Sequence, residues 1–252
     1  MAAHILITGA SSGLGAALAL IYSQPGVVLF LVGRDEARLN AVAAECRARG
    51  AETIIRQVDV TDQAAMENWV LAADEQAPLT LVIANAGISG GTGGRLGETA
   101  QQTRAIFATN LDGLLNCLLP LIPRLQARKA GQIAIMASLA GFRGMPSAPA
   151  YAASKAAVKV WGEGVRGWLQ ADQVGVSVIC PGFVETAMTA NNRFPMPFLL
   201  KPEQAAAIMK RGIDANRARI AFPWPMAAIV WLLAALPPAW VDPLLSRTPK
   251  KN

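Results

Sequence analysis

The chain has 252 residues, of which 53% are hydrophobic and 16% charged, against about 25% charge in an average soluble domain. That length and composition exclude disorder, collagen-like repeats and a coiled coil, and they suit one large α/β domain. The net charge of +6 is lopsided, because residues 201–252 carry eight basic side chains against three acidic ones.

Short aliphatic and β-branched runs are predicted strands at 4–8, 27–32, 53–58, 79–84, 132–137, 175–180 and, more weakly, 219–222. Alanine-rich stretches of helical spacing lie between them, at 13–24, 35–49, 62–76, 98–128 and 147–172. Pro25-Gly26 stops the first and Gly50 closes the second. Pro120 and Pro123 should bend or break the fourth. Alternating strands and helices build βαβ units, hence a doubly wound parallel sheet of about seven strands with helices on both faces. No linker or repeat divides residues 1–252, which read as a single domain.

The first strand runs into Thr8-Gly9-Ala10-Ser11-Ser12-Gly13-Leu14-Gly15 and then a helix. Gly9 permits a tight turn, while Gly13 and Gly15 remove side chains where backbone must approach a pyrophosphate and where helix meets strand. The helix N-terminus offers free N–H groups to phosphates. An ordinary flexible turn is the alternative, but a strand before and a helix after favour a dinucleotide site.

The second strand ends in Gly33-Arg34, with no carboxylate there to bond a ribose diol. An arginine can instead pair with a 2′-phosphate, so NADP(H) is favoured over NAD(H). Asp35 fits a helix N-cap, and a solvated Arg34 beginning that helix is the bland alternative. Asp59-Val60 and Asn85-Ala86-Gly87 follow the third and fourth strands, where ligands sit in open parallel sheets. Asp59 could accept from an adenine amino group, and Asn85 and Gly87 could wall the cofactor; each alone would read as turn chemistry.

Ser138 ends the fifth strand, and Tyr151 and Lys155 stand four apart on a predicted helix, sharing one face. An ammonium beside a phenol should lower the phenol pKa and give an acid–base group useful nearer neutrality. The Ser138 hydroxyl could steady a substrate oxygen. A surface Tyr/Lys pair with a loop serine is the alternative for any one such pair. By spacing alone, Asn110-Leu111-Asp112-Gly113 reads as a local turn.

TGASSGLG, Asn85-Ala86-Gly87, Ser138, Tyr151-Ala152-Ala153-Ser154-Lys155 and Pro181-Gly182 stand in the order of the short-chain dehydrogenase/reductase family, which the chain resembles from residue 4 to about 190. The resemblance implies a Rossmann-type enzyme using a nicotinamide cofactor. It further implies that Tyr151 exchanges the proton and that Lys155 lowers the tyrosine pKa and holds the nicotinamide ribose. By the same resemblance Ser138 orients substrate and Asn110 sustains a water-linked proton relay. Pro181, Gly182, Val184 and Thr186 then resemble the loop beside the nicotinamide. A homodimer or homotetramer joined through the helices near 100–128 and 147–172 is also implied.

Residues 183–214 should cover the substrate. Phe183, Phe194, Met196 and Phe198 there point to a hydrophobic ketone or alcohol, with Asn191, Asn192 and Arg193 as the polar members. The chain departs from the family ending at 220–246. Residues 220–241 carry no charge and hold Trp224, Trp231 and Trp240, with Arg217 and Arg219 before them and Arg247, Lys250 and Lys251 after. Pro223, Pro225, Pro237 and Pro238 leave too short a piece for a spanning helix, which needs about 20 residues. A subunit interface, a substrate wall and a peripheral membrane contact through 220–241 all remain open.

Cys46, Cys117 and Cys180 form no CxxC pair and fit a reducing compartment. The N-terminal Met-Ala-Ala-His lacks a basic region, so no secretory signal is expected and the cytoplasm, with membrane association left open, is the expected location. His4, the single histidine, makes a zinc site or a Ser-His-Asp triad unexpected, and no metal is anticipated. Basic residues flanking an apolar run do not form the stripe that nucleic acid requires.

Overall fold

The computed structural model describes residues 3–92, 97–190, 192 and 195–245. Asn191, Arg193 and Phe194 of the expected substrate cover, and Arg247, Lys250 and Lys251 of the cationic end, lie outside the described residues.

The β-branched runs form strands Ala3–Thr8 (β1), Val27–Gly33 (β2), Glu52–Gln57 (β3), Leu81–Ala84 (β4), Gln132–Met136 (β5), Gly175–Pro181 (β6) and Arg219–Phe222 (β7). They make one seven-stranded sheet in the order β3-β2-β1-β4-β5-β6-β7, every neighbouring pair parallel. Ile7 of β1 stands level with Leu31 on one side and Ile83 on the other. Strands β1, β2, β4, β5 and β6 are buried almost throughout because helices cover both faces, which explains their unbroken apolar runs.

Helices Gly13–Tyr22 (α1), Glu36–Ala48 (α2) and Pro202–Asp214 (α9) pack on one face, through Leu18, Leu39, Ala43 and Met209. The other face receives Gln63–Gln76 (α3), Gly113–Leu118 (α5), Ile122–Arg128 (α6) and Pro149–Trp168 (α7), through Met66, Val70, Leu118, Leu125 and Val158. From β1 the chain goes to β2 on one side and later returns to place β4 on the other. The connections diverge there, opening a cleft at the carboxyl edge of the sheet.

Several expected boundaries move for physical reasons. Helix α1 stops at Tyr22, not residue 24, as Ser23 Oγ donates back to the Ala19 carbonyl. Asp35 and Asp62 precede their helices as N-caps, accepting from the amides of Arg38 and Ala65. Strand β4 begins at Leu81, since the Leu79 amide is taken by the Asp74 carboxylate and the Thr80 hydroxyl bonds the His4 backbone. The expected helix over 98–128 breaks between α5 and α6, around Pro120. It also changes form between Ala100–Phe107 (α4) and α5, where Ala108–Asp112 makes a π turn. Asn110 therefore sits inside a helical stretch, which corrects the local-turn reading.

Short helix Ala187–Ala190 (α8) follows β6. The apolar C-terminal run folds as Trp224–Ala235 (α10) and Pro238–Leu245 (α11), with Pro237 between them. At 12 residues α10 is about 18 Å long, well short of a bilayer core. Over Ala100–Arg128 the helical stretch is apolar and long enough to cross a membrane by length and composition, but half of its 18-residue apolar window is buried inside the protein.

Candidate active site

The site begins with the turn between β1 and α1. Gly9 has φ +66°, and a side-chain carbon on it would lie 2.9 Å from the Ala86 Cα. At Gly15 the same carbon would stand 2.1 Å from the Gly9 carbonyl oxygen. Glycine at these two places lets turn, helix and β4 close together. Helices α2, α3 and α4 each carry a side-chain cap, from Asp35, Asp62 and Thr99, but Ser12 at the start of α1 makes none and no acid lies in its first turn. The N–H groups of α1 thus remain available to an anion in the cleft, and this glycine cradle fits a dinucleotide pyrophosphate.

The cleft has a volume of about 1010 Å³. Gly9, Ser11, Ser12, Gly13 and Leu14 line one end, joined by Gly33, Arg34 and Val60. Asn85, Ala86 and Gly87 form its floor, while Ser138, Tyr151, Lys155, Pro181, Gly182, Val184 and Thr186 complete the far end. Gly15, Asp59 and Asn110 are expected site residues that do not line the cleft themselves. The Asp59 carboxylate accepts from the Thr61 amide and hydroxyl at 2.9 and 2.8 Å and pairs with Arg34 at 3.6 Å. Partial burial pushes the Asp59 carboxyl up, but Thr61 and Arg34 outweigh it and hold the group below its ordinary value.

Two arginines of the cleft escaped the sequence reading. Arg38 stands one helical turn after Arg34, its Nε 2.8 Å from the Asp35 carboxylate. Its spacing from Arg34 was the signal. Arg143 donates from Nη1 to the Leu233 and Leu236 carbonyls at 2.9 and 2.7 Å, so it ties the end of α10 to the segment after Ser138. No local pattern announces that bond, which joins residues about 90 positions apart in sequence.

Tyr151 and Lys155 occupy the first turns of α7, whose N-terminus is fixed by Pro149 and by Glu98, which accepts from the Ala150 amide at 2.9 Å. The Lys155 ammonium donates to the Met136 carbonyl at 2.9 Å and lies 5.9 Å from the centre of the Tyr151 ring. Ser138 follows β5 and caps the short turn Leu139–Phe142, its hydroxyl accepting from the Ala140 amide at 3.1 Å. The Asn110 amide is held by Ile88 at both ends and donates to Ser154, which in turn donates to the Tyr151 carbonyl. A side-chain carbon on Gly87 would lie 3.0 Å from Asn110 and 3.2 Å from the Lys155 nitrogen, so this glycine sets both beside the cleft floor.

Electrostatics depart from expectation in one respect. Burial pushes the Tyr151 phenol above its ordinary value, and a hydrogen bond from Ser138 only partly offsets it, so the expected lowering is not found. Burial also brings Lys155 down to about 8. Desolvation dominates both groups, leaving a protonated phenol poised to donate at neutral pH.

Much of the remaining wall is apolar, interrupted by Ser147, Thr189 and Asn192. Leu139, Met145, Phe183 and Met188 contribute, and α10 presents Met226, Val230 and Leu233, with Leu245 from α11. One side of the C-terminal segment is thus a cleft wall, one of the three readings left open by the sequence.

Comparison with known proteins agrees with this architecture. Residues 3–196 match the family described as short chain dehydrogenase. An uncharacterized oxidoreductase of Myxococcus xanthus is 39% identical over 233 residues, covering 92% of each chain. The ketoacyl reductase HetN of a Nostoc species is 33% identical over 197 residues, 77% of this chain and 68% of that one. The crystal structure of a short chain dehydrogenase/reductase from Burkholderia phymatum in complex with NAD has a TM-score of 0.83 at 27% identity, over 99% of this chain and 97% of that one. A short-chain dehydrogenase from Sphingobium yanoikuyae in complex with NADPH gives 0.80 at 26% identity, over 99% and 98%. With its parallel seven-stranded sheet and its glycine turn, the chain is an oxidoreductase belonging to the short-chain dehydrogenase/reductase family.

Proposed function

We propose that this protein is an NADP(H)-dependent oxidoreductase interconverting a carbonyl and a secondary alcohol on a hydrophobic substrate. The observation that carries the reading is the convergence of Ser138, Tyr151 and Lys155 in one cleft, opposite the uncapped start of α1. When bound, the nicotinamide cofactor supplies or accepts the hydride. Ser11, Ser12, Gly13 and Leu14 hold its pyrophosphate end, Val60, Asn85, Ala86 and Gly87 wall it, and Pro181, Gly182, Val184 and Thr186 lie at the nicotinamide. Similar solved structures hold NADPH in one case and NAD in the other. Arg34 and Arg38 favour the cofactor bearing a 2′-phosphate.

Tyr151 donates its phenolic proton to the carbonyl oxygen, which Ser138 steadies with a second hydrogen bond. Lys155, cationic below about pH 8, stabilises the phenolate left behind and draws the replacement proton toward the site. Asn110 supports that proton traffic from behind Gly87. The apolar wall and residues 183–214 select a hydrophobic substrate. Exposed Leu119, Val160 and Trp168 on the outer helices support assembly as a homodimer or homotetramer. Three free, buried cysteines support a cytoplasmic location.

The test is NADPH-coupled reduction of a panel of hydrophobic ketones by wild type, Tyr151→Phe and Lys155→Ala. Loss of the proton donor should lower kcat by about 10²–10⁴-fold. Near-normal turnover by Tyr151→Phe, or NADPH binding by wild type without turnover on any ketone, would overturn the assignment.

A further inference from the structure

Helix α10 has two apolar sides. Met226, Val230 and Leu233 face the cleft, whereas Trp224, Ile229, Trp231 and Leu232 face outward at 79%, 54%, 62% and 57% exposure. Trp240 on α11 extends that outer face at 73%. Soluble surfaces rarely leave so many large side chains uncovered together.

Two features identify what covers them. The first is backbone bookkeeping. Arg143 reaches outward to take the Leu233 and Leu236 carbonyls at the end of α10, where water would otherwise serve. Pro223 and Pro225 at the start of α10, and Pro237 and Pro238 at the start of α11, carry no N–H to expose. These devices reduce, at both helix ends, the number of polar backbone groups that water would have to serve, which suits a surface set against lipid. The second is charge. Residues 220–252 contain one acid, Asp242, against Arg247, Lys250 and Lys251, and tryptophans flanked by cations are the pattern of a helix lying at an anionic bilayer surface.

We propose that the outer face of α10 and α11 docks on an anionic lipid bilayer, with the helices lying in the interface rather than crossing it. Because the inner side of α10 walls the cleft, docking sets the cleft against the lipid. Resting on the carbonyl-reduction reading, the substrate class is then a ketone or alcohol dissolved in the membrane.

Flotation of the full chain with vesicles tests docking without any need for turnover. Wild type should float with phosphatidylglycerol–phosphatidylcholine vesicles, and less with phosphatidylcholine alone or at raised salt. Replacing the three exposed anchors (Trp224→Ser, Trp231→Ser, Trp240→Ser) should lower the bound fraction at least about tenfold. Reduction of a small water-soluble ketone should remain at the wild-type rate in that variant, and brominated lipid should quench wild-type tryptophan fluorescence whether or not the variant folds. Wild type left unbound by anionic vesicles, unquenched tryptophan, or a triple variant binding as wild type does would overturn docking. So would a wild-type oligomer that the three substitutions dissociate, which assigns the face to a second copy. Flotation with no ketone reduced by wild type would leave docking standing and remove the carbonyl reading.

Discussion

Replacing Arg34 with alanine separates coenzyme choice from folding. The Arg34 guanidinium lies 3.6 Å from Asp59, with the two side chains 62% and 42% exposed. An open pair of this kind contributes at most about 1 kcal/mol. Its loss should therefore shift the melting temperature by no more than about 2–4 °C in a chain of this size. A guanidinium bonded to a 2′-phosphate is a charge-assisted contact of about 1.5–3 kcal/mol. That predicts a KM for NADPH raised roughly ten- to hundredfold, while the KM for NADH stays within about twofold. Asp59, relieved of its cation, would add repulsion toward the phosphate and push the same way. Arg38, held by Asp35 at 2.8 Å, should show a smaller shift alone and deepen the effect in the double variant. Initial rates with both coenzymes on one ketone, alongside thermal melts, measure both quantities. An unchanged ratio of the two kcat/KM values, or a wild type that prefers NADH, would refute the reasoning.

Gly15→Ala drives a methyl to 2.1 Å from the Gly9 carbonyl and 2.7 Å from the Asn85 amide. Thermal melts should show a loss of at least about 1–3 kcal/mol, and coenzyme fluorescence titration should show binding abolished. Asp74, 2% exposed, meets Arg128 at 2.7 Å and the Leu79 amide at 3.0 Å, so Asp74→Ala should cost about 3–5 kcal/mol in denaturant melts. Burial works to raise the Asp74 carboxyl, but Arg128, the Leu79 amide and Arg124 more than reverse it and hold it low. Its contribution is complete above about pH 4 and is lost as the pH falls through the depressed native value, so wild type and variant should converge only in acid. Lys155 gives a slope of the same sign in a more alkaline window. Its native value near 8 lies below the unfolded one of about 10.4, so the unfolded chain binds more protons between them. Relative to Lys155→Met, wild type should gain stability as the pH rises through that window, measured by denaturant melts.

Regular alternation made the sheet legible. Unbroken runs such as Val27–Gly33 and Gly175–Pro181 are buried on both faces, and that double burial is what an apolar strand without polar interruption records. Short-range chemistry was legible as well, since Asp35 and Asp62 act through neighbours three positions away. What stayed hidden depends on partners brought from afar. The π turn around Asn110 accompanies bonds to Ile88 and Ser154, 22 and 44 positions distant, so its sequence resembles a turn. Arg143 gains its partners from α10, and the wall role of Met226 and Val230 exists only once β7 delivers α10 over the cleft. The Tyr151 phenol was misjudged because spacing displays the neighbouring cation and conceals the desolvation that outweighs it.

The π turn has a consequence for register. Inserting one residue into an α-helix rotates everything downstream by about 100°. Thus α4 packs against α7, whereas α5, continuing the same rod, addresses α3 and β4. Asn110 sits where the phase slips. Deleting a single residue within 108–112 would restore an uninterrupted spiral with nearly the same composition, yet swing Leu114, Cys117 and Leu118 away from their buried places. Length in that stretch is consequently as constrained as chemistry.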